Sequence, residues 1–283
     1  MSLAVQVEEI RTSLNLSTSI KDQEIILYGI HATKIAERFT KRFFNADINR
    51  TEFVAGKLDK EILLRGFPVT EITSLHDDPS LQFGTTTEVA ASDYFSFAET
   101  GVISLKSGVF QEGFRNVKCV YKGGWYPNVE VVASASIGAT MTIADSLLAK
   151  AQEFSLFITK TDAAAGDVVI TGTDESGVAQ VETVSMASTS DQPSNRTMSR
   201  NKWNSVTIVD SSALSGGSLG ITASSVPEDL RVAIILIAVH NYQQDQNQYL
   251  DIDSRSDNAE SESGYAKQIP NEAVQILDLY RIL

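Results

Sequence analysis

The chain is poor in the residues that most often carry chemistry: it has one cysteine and three histidines in 283 residues. Cys119 alone cannot form a disulfide framework within one chain, and its strand-like setting, NVKCVY, favours a small buried core residue. The run HDD at residues 76–78 could offer ligands to a cation. No second cluster supplies further ligands, however, and Asp78 before Pro79 favours a turn.

Other site signatures are also missing. Asp251, Asp253 and Asp257 alternate as calcium ligands do, but the glycine and the distal glutamate of an EF-hand loop are misplaced, which favours a solvated acidic loop. There is no P-loop, GxSxG or GxGxxG, and GGSLG at 216–220 indicates a turn. The sequence therefore predicts no catalytic residue, no metal and no cofactor, and a protein that is not an enzyme.

Long hydrophobic runs are lacking as well. The longest, VAIILIAV at 232–239, is far shorter than the roughly 20 residues that cross a bilayer. The first residues, MSLAVQVEEIRTSL, carry acids where a signal peptide has a basic segment. We expect a protein without membrane contact that is made in the cytoplasm.

Basic residues are outnumbered, because 23 Lys and Arg face 36 Asp and Glu, giving a net charge of −13. Such a chain is not expected to bind nucleic acid by neutralising its phosphates. The acidity indicates either ordinary solubility or a negative surface past which DNA slides. Charge alone does not separate these two interpretations.

Three blocks differ in composition: residues 1–127, 128–225 and 226–283. The middle block holds only three aromatic residues, Phe154, Phe157 and Trp203, while 28 of its 98 residues are Ser or Thr. Seven short β-type runs punctuated by turn signals predict an all-β sandwich there. The shift in composition predicts a separate domain over 128–225.

The outer blocks contain the helical patterns. Residues 22–44 place Ile26, Ile30, Ile35, Phe39 and Phe43 three to five residues apart, which predicts an amphipathic helix. Residues 224–250 predict a second helix, with Pro227, Glu228 and Asp229 in its first turn and apolar residues around most of its circumference. Residues 269–283 predict a closing helix.

A strand ends at YKGGWYP, residues 121–127, and a helix begins at VPEDL, residues 226–230, so the block between them is predicted to be an insertion. A chain accepts a whole domain where two junctions lie close together on a surface loop. Residues 1–127 plus 226–283 are then expected to form one discontinuous domain.

Without the insertion, several motifs occur in a familiar order. They are RFTKRFF (38–44), LLRGFPVTEI (63–72), SDYFSFAETGVISL (92–105), NVKCVYKGGW (116–125), VPEDLRVA (226–233) and IPNEAVQILDLYRIL (269–283). In this order the chain resembles the head–tail connector proteins of tailed bacteriophages, also called adaptor or head-completion proteins. The insertion departs from that pattern, and resembles the Ig-like modules grafted onto phage structural proteins.

The resemblance implies a fold, a place and partners. It implies an α+β fold, in which a helical adaptor domain with a small β-element is interrupted by an all-β Ig-like sandwich. It further implies a virion neck protein that forms a homo-oligomeric ring, usually a dodecamer, after synthesis in the host bacterial cytoplasm. Its partners would be the portal protein and a stopper or tail-completion protein, and genomic DNA would pass through the lumen without specific binding.

Two sets of residues are expected to carry these contacts. The apolar chain end, Tyr280, Arg281, Ile282 and Leu283, is predicted to contact the portal. The helix from Pro227 to Tyr242 is predicted to supply core and ring packing through Pro227, Leu230, Ile234, Ile237 and Tyr242.

An alternative stays open at this point. The Ser/Thr-rich β-module could make the chain a decoration or adhesion protein that binds a capsid or host-surface partner. Carbohydrate sites usually present exposed aromatic residues, however, and Trp203 is more simply a core residue of the sandwich.

Overall fold

The structure is a computed structural model of the whole chain. It describes residue 5 and residues 7–16, 21–46, 48–126, 129–136, 140–146, 152–161, 164–186, 195–250 and 269–282. Contacts divide the chain into two compact units. The first unit comprises Met1–Ala36 and Pro127–Leu279, and the second unit comprises Glu37–Tyr126 and Tyr280–Leu283.

The described residues form four helices and fourteen strands. The helices are α1 (Val7–Ser13), α2 (Asp22–Thr40), α3 (Glu228–Leu250) and α4 (Asn271–Asp278). The boundary between the units falls inside α2. Helix α3 begins where the sequence predicts, since the carbonyl of Pro227 accepts the amide of Arg231 at 3.0 Å.

The second unit is built from two antiparallel three-stranded sheets. Its strands are β1 (Arg50–Gly56), β2 (Glu61–Leu63), β3 (Val69–Asp77), β4 (Tyr94–Phe97), β5 (Val102–Leu105) and β6 (Gly113–Gly123). The orders are β1-β6-β3 and β2-β5-β4. Alternate residues of both sheets, among them Ile62, Ile103 and Cys119, fill one apolar core.

The first unit contains two antiparallel four-stranded sheets between residues 129 and 224. Their strands are β7 (Val129–Ser136), β8 (Thr140–Ser146), β9 (Phe154–Thr161), β10 (Gly166–Thr173), β11 (Ala179–Met186), β12 (Asn195–Trp203), β13 (Ser205–Asp210) and β14 (Ser218–Ser224). The orders are β11-β10-β13-β8 and β12-β9-β14-β7. Trp203 is fully buried and faces Gly172 of the other sheet.

The predicted fold class is wrong in its emphasis. Strands make up 42% of the described residues and form four antiparallel sheets, and only four α-helices occur among the same residues, so the described part of the chain is not a helical adaptor domain with a small β-element. The physical reason is that the short strand-like runs between residues 50 and 123 bury a core of their own. The helices predicted over 22–44 and 224–250 do form, as α2 and α3, but they are outnumbered by the strands.

The contact-based units differ from the predicted domains. The predicted discontinuous domain, 1–127 plus 226–283, meets the predicted insertion, 128–225, after Pro127, whereas the two units divide one residue earlier, between Tyr126 and Pro127. The first unit combines both sheets of the 129–224 region with α1, α3 and α4. The insertion itself stays a prediction.

Candidate interaction surfaces

The chain end forms an aromatic and cationic stack within the second unit. Tyr280 meets Trp125 edge to face, with ring centroids 5.8 Å apart. The guanidinium of Arg42 lies 3.5 Å from the ring centroid of Phe67 and 4.7 Å from that of Trp125. Arg42 also donates to the carbonyl of Phe67 at 2.5 Å, and burial lowers its pKa to about 10. The chain end is therefore held by contacts within its own subunit.

The backbone holds the same segment. The amide of Ile282 donates to the carbonyl of Thr40 at 3.0 Å, and Arg281 lies over the ring of Phe39 at 5.5 Å. Arg281 is exposed, while Tyr280 and Ile282 are half-buried. Leu283 lies outside the described residues. The structure thus brings three of the four predicted portal-contacting residues together, and the portal contact itself stays a prediction.

The residues predicted to pack along α3 point mostly into the subunit. Leu230, Ile234 and Ile237 are fully buried, Tyr242 is 7% exposed, and Pro227 is half-buried. Tyr242 meets the ring of Tyr28 edge to face at 5.4 Å, and its hydroxyl accepts Lys21 Nζ at 3.0 Å. These side chains serve the core, and a role of α3 in ring packing stays a prediction.

Sequence reasoning missed Arg231, which links the sheets to the helices within the first unit. Its guanidinium pairs with Glu9 of α1, lies 4.3 Å from the ring centroid of Phe157, and approaches the sulfur of Met198 at 3.6 Å. Burial lowers its pKa to about 10. The sequence did offer a signal for Arg231, because it is a lone cation inside the apolar face of α3. A charge that is buried there needs a partner.

A second surface lies on the outer side of the sheet β1-β6-β3, and we call Phe53, Phe83, Arg115 and Lys118 the basic–aromatic face. Phe53 is the cross-strand partner of Lys118. The rings of Phe53 and Phe83 lie 5.5 Å apart. Arg115 lies 5.0 Å from the centroid of Phe53, and Lys118 lies 5.5 Å from that of Phe83. Cations and rings therefore alternate across this face.

The loop that supplies Phe83 is held by Asp78. Its carboxylate accepts the amides of Ser80, Gln82 and Phe83 and the hydroxyl of Ser80, at 2.6–2.9 Å. These bonds, above all the one from the Ser80 hydroxyl, lower the pKa of Asp78. The predicted turn at Asp78–Pro79 is therefore confirmed.

The backbone around this face is strained. Leu81, Phe83 and Arg115 have φ values of 60°, 51° and 57°, a left-handed conformation that is unfavourable for residues with a Cβ. Strain of this kind persists only where surrounding contacts enforce it, and it clusters at functional sites. Leu81 is also 50% exposed, and Phe114, the sequence neighbour of Arg115, is 81% exposed.

The two units differ in charge. Counted from the sequence, the second unit holds twelve basic and twelve acidic residues, so the whole formal charge of −13 belongs to the first unit. Acidity is therefore a property of one unit, and the second unit is formally neutral.

Cys119 and His76, which the sequence offers as candidates for chemistry, are both buried in the fold. Cys119 is fully buried, and burial raises its pKa to about 12. His76 is 7% exposed and lies edge-on to Phe83 at 6.4 Å. Within the described part of the chain, no group of three His, Cys, Asp or Glu could hold a metal, and no helix has the length and hydropathy of a bilayer span. Asp251, Asp253 and Asp257 lie outside the described residues.

Comparisons with known proteins give one structural likeness to report. Neither a protein-family model nor a curated protein matches the chain. Its fold is similar to a chain in a solved structure described as the neck of an empty GTA particle computed with C6 symmetry. The two share 14% identity at a TM-score of 0.42, over 99% of this chain and 90% of that one. At that level of similarity, function has to be argued from this chain's own residues.

Proposed function

We propose that this protein is a structural subunit of the neck of a tailed phage-like particle. In the proposal, copies form a ring that joins the portal of the head to the stopper or tail and continues the DNA channel. The observation that carries it is an uneven exposure of apolar side chains. Of fourteen large apolar side chains exposed among the described residues, eight belong to the second unit, which holds a third of the chain.

Exposed apolar side chains grouped on one unit mark a surface that meets other proteins. The sheet β2-β5-β4 gives an example. Leu63 and Phe97 both pair with Val102 of the central strand, so their side chains lie on the same face of the sheet. Phe95 lies on the same face two residues away, and Leu63, Phe95 and Phe97 are 42–55% exposed. An assembly subunit needs such surfaces, whereas an isolated soluble domain is expected to cover them.

Two sequence features support the choice of the neck. The order of the motifs from RFTKRFF to IPNEAVQILDLYRIL resembles phage connectors, and the acidic surplus suits a conduit that repels DNA phosphates. The proposal assigns the portal contact to Tyr280, Arg281, Ile282 and Leu283, and assigns no catalytic step, metal or cofactor to the chain.

Co-expression with the portal protein of the same particle tests the function. We expect wild-type protein to co-purify with the portal as a ring of about twelve 30.8-kDa subunits, visible by negative-stain electron microscopy. Arg281→Glu, which changes an exposed residue of the chain end, is expected to weaken this co-purification. Lys60→Glu, an exposed charge reversal elsewhere in the second unit, is the matched control.

Two results would contradict the proposal. One is a wild-type chain that stays monomeric and never binds the portal. The other is a particle lacking this chain that still assembles heads joined to tails. Equal portal binding by Arg281→Glu and wild type would remove only the assignment to the chain end.

A further inference from the structure

We propose that the basic–aromatic face is the surface through which one copy of this chain binds the acidic first unit of the next copy in the ring. This inference rests on the proposed function, since it names the contact that would build the ring. It assigns Arg115 and Lys118 to the pairing of charges, and the exposed side chains of Phe114 and Leu81 to the apolar part of the contact.

The two cations are available to a partner. Their contacts within the described residues are with the rings of Phe53 and Phe83, and no described carboxylate lies within ion-pair distance of Arg115 or Lys118. A cation over an aromatic face keeps its N–H donors free for a carboxylate. The rings also hold each cation in place, so less side-chain entropy is lost on binding.

The surroundings have the composition of an interface centre. Arginine and aromatic side chains are enriched at the points that dominate binding energy between proteins. Phe114 is the most exposed large apolar side chain among the described residues, at 81%, and it adjoins Arg115. The Asp78 loop presents Phe83 and Leu81 through backbone that is otherwise unfavourable.

Charge complementarity selects the partner. A basic face with unpaired cations requires an acidic surface, and the first unit of every other copy carries a formal charge of −13. Nucleic acid is the other common polyanion, but that same charge would repel it as it approached. A second copy is therefore the occupant that the charges favour.

The geometry of such a contact fits a ring. The surface on one copy is the basic–aromatic face, and the surface on the next copy is a different, acidic one. A contact between two different surfaces is heterologous, and it closes into a cyclic ring when the rotation between neighbours divides a full turn. A symmetric dimer would instead use the same surface on both copies.

The test reverses both cations in the full-length protein. Arg115→Glu/Lys118→Glu is compared with Arg38→Glu/Lys60→Glu, which makes the same change of charge at two exposed positions of the second unit, one on α2 and one just before β2. Mass photometry over a range of concentrations, with portal present, is expected to show at least a tenfold loss of ring for the first variant and none for the control. Arg115→Lys/Lys118→Arg keeps the charges and is expected to assemble as wild type does.

Mixing and salt sharpen the test. The double-glutamate variant keeps its acidic surface but lacks the basic–aromatic face's cations. Added in excess, it is expected to bind the end of a growing row of wild-type copies and stop its growth, so the yield of rings should fall as the share of variant rises. Raising the salt from 50 to 500 mM is expected to weaken wild-type assembly at least tenfold, because exposed charge pairs are screened. Slow labelling of buried Cys119 confirms that each variant is folded.

Several outcomes overturn the inference. They are rings of the double-glutamate variant equal to wild type, an equal loss in the control, or assembly insensitive to salt. Loss of binding to double-stranded DNA by this variant, with normal rings, would assign the face to nucleic acid instead. In all of these the proposed function stands, whereas absence of wild-type rings with portal present would overturn the ring itself.

Discussion

The glycine pair at residues 123–124 offers the sharpest test of how the second unit folds. Gly124 has φ +115°, and a Cβ there would lie 2.7 Å from the backbone carbonyl carbon and oxygen of Phe44. At the same place the amide of Trp125 donates to the carbonyl of Phe44 at 2.7 Å. Gly124→Ala therefore adds both backbone strain and a clash with backbone that cannot rotate away.

The size of the effect follows from these two causes. The left-handed conformation costs a residue with a Cβ about 1–2 kcal/mol. Overpacking against fixed backbone adds about 1–3 kcal/mol. Gly108 is the matched control, because it has φ +78° and nothing within 4 Å of its added Cβ. We expect Gly108→Ala to cost about 1 kcal/mol and Gly124→Ala about 3–4 kcal/mol.

Thiol labelling in urea measures the difference in the second unit. Cys119 is the sole cysteine, is fully buried and lies in that unit, so its labelling reports the unfolding of this unit alone. With a urea dependence of about 1–3 kcal/mol per M, the Gly124→Ala midpoint should fall by about 1 M or more. Equal midpoints for Gly124→Ala and Gly108→Ala would refute the close approach to Phe44.

Three further results are expected. Burial raises the pKa of the Cys119 thiol from 9.0 to about 12. The stability that the buried neutral thiol contributes is therefore present below pH 9 and is lost as the pH rises from 9 towards 12. Cys119→Ala should show a flatter decline in urea midpoint than wild type over that pH range. Asp78→Ala should lower the urea midpoint clearly, whereas Asp93→Ala, whose carboxylate accepts only the Ser92 hydroxyl among the described residues, should leave it unchanged. Tyr280→Ala should cost about 1–2 kcal/mol and shift Trp125 fluorescence to the red, and an unchanged spectrum would contradict the stack.

Much of the element order could be predicted from the sequence. The start of α3 follows from Pro227, Glu228 and Asp229, which are local signals that do not depend on the rest of the fold. Trp203 was expected in the core of the sandwich and is fully buried. KWNSVTI, residues 202–208, is one of the seven β-type runs of the middle block, and the structure divides it at Asn204 between β12 and β13, because the chain leaves one sheet and enters the other there.

The buried face of α2 shows where periodicity failed. The predicted stripe included Ile26, Ile30 and Phe39, which are only half-buried. The fully buried positions include Ile25, Ala32 and Ala36 instead. Small residues give little hydropathy signal, yet they allow close packing, so their side of the helix became the inner one.

The interaction surfaces depend on contacts between distant parts of the chain. Arg42 contacts the rings of Phe67, Trp125 and Tyr280, which lie up to 238 residues away from it in sequence. The left-handed backbone of Leu81 and Phe83 follows from the hydrogen bonds of Asp78, and no propensity predicts it at those residue types. Surfaces of this kind become visible only after folding.

The proposed ring is tested most directly by locating the chain in the particle. Cryo-electron microscopy of the neck, with the copies identified by a tag placed before Met1, is predicted to show a closed ring of this chain between the portal and the tail. In that ring, Arg115 and Lys118 of each copy are predicted to face acidic residues of the next. A particle with the tag on the capsid surface or tail tip, or with single copies and no ring at the neck, would contradict the account.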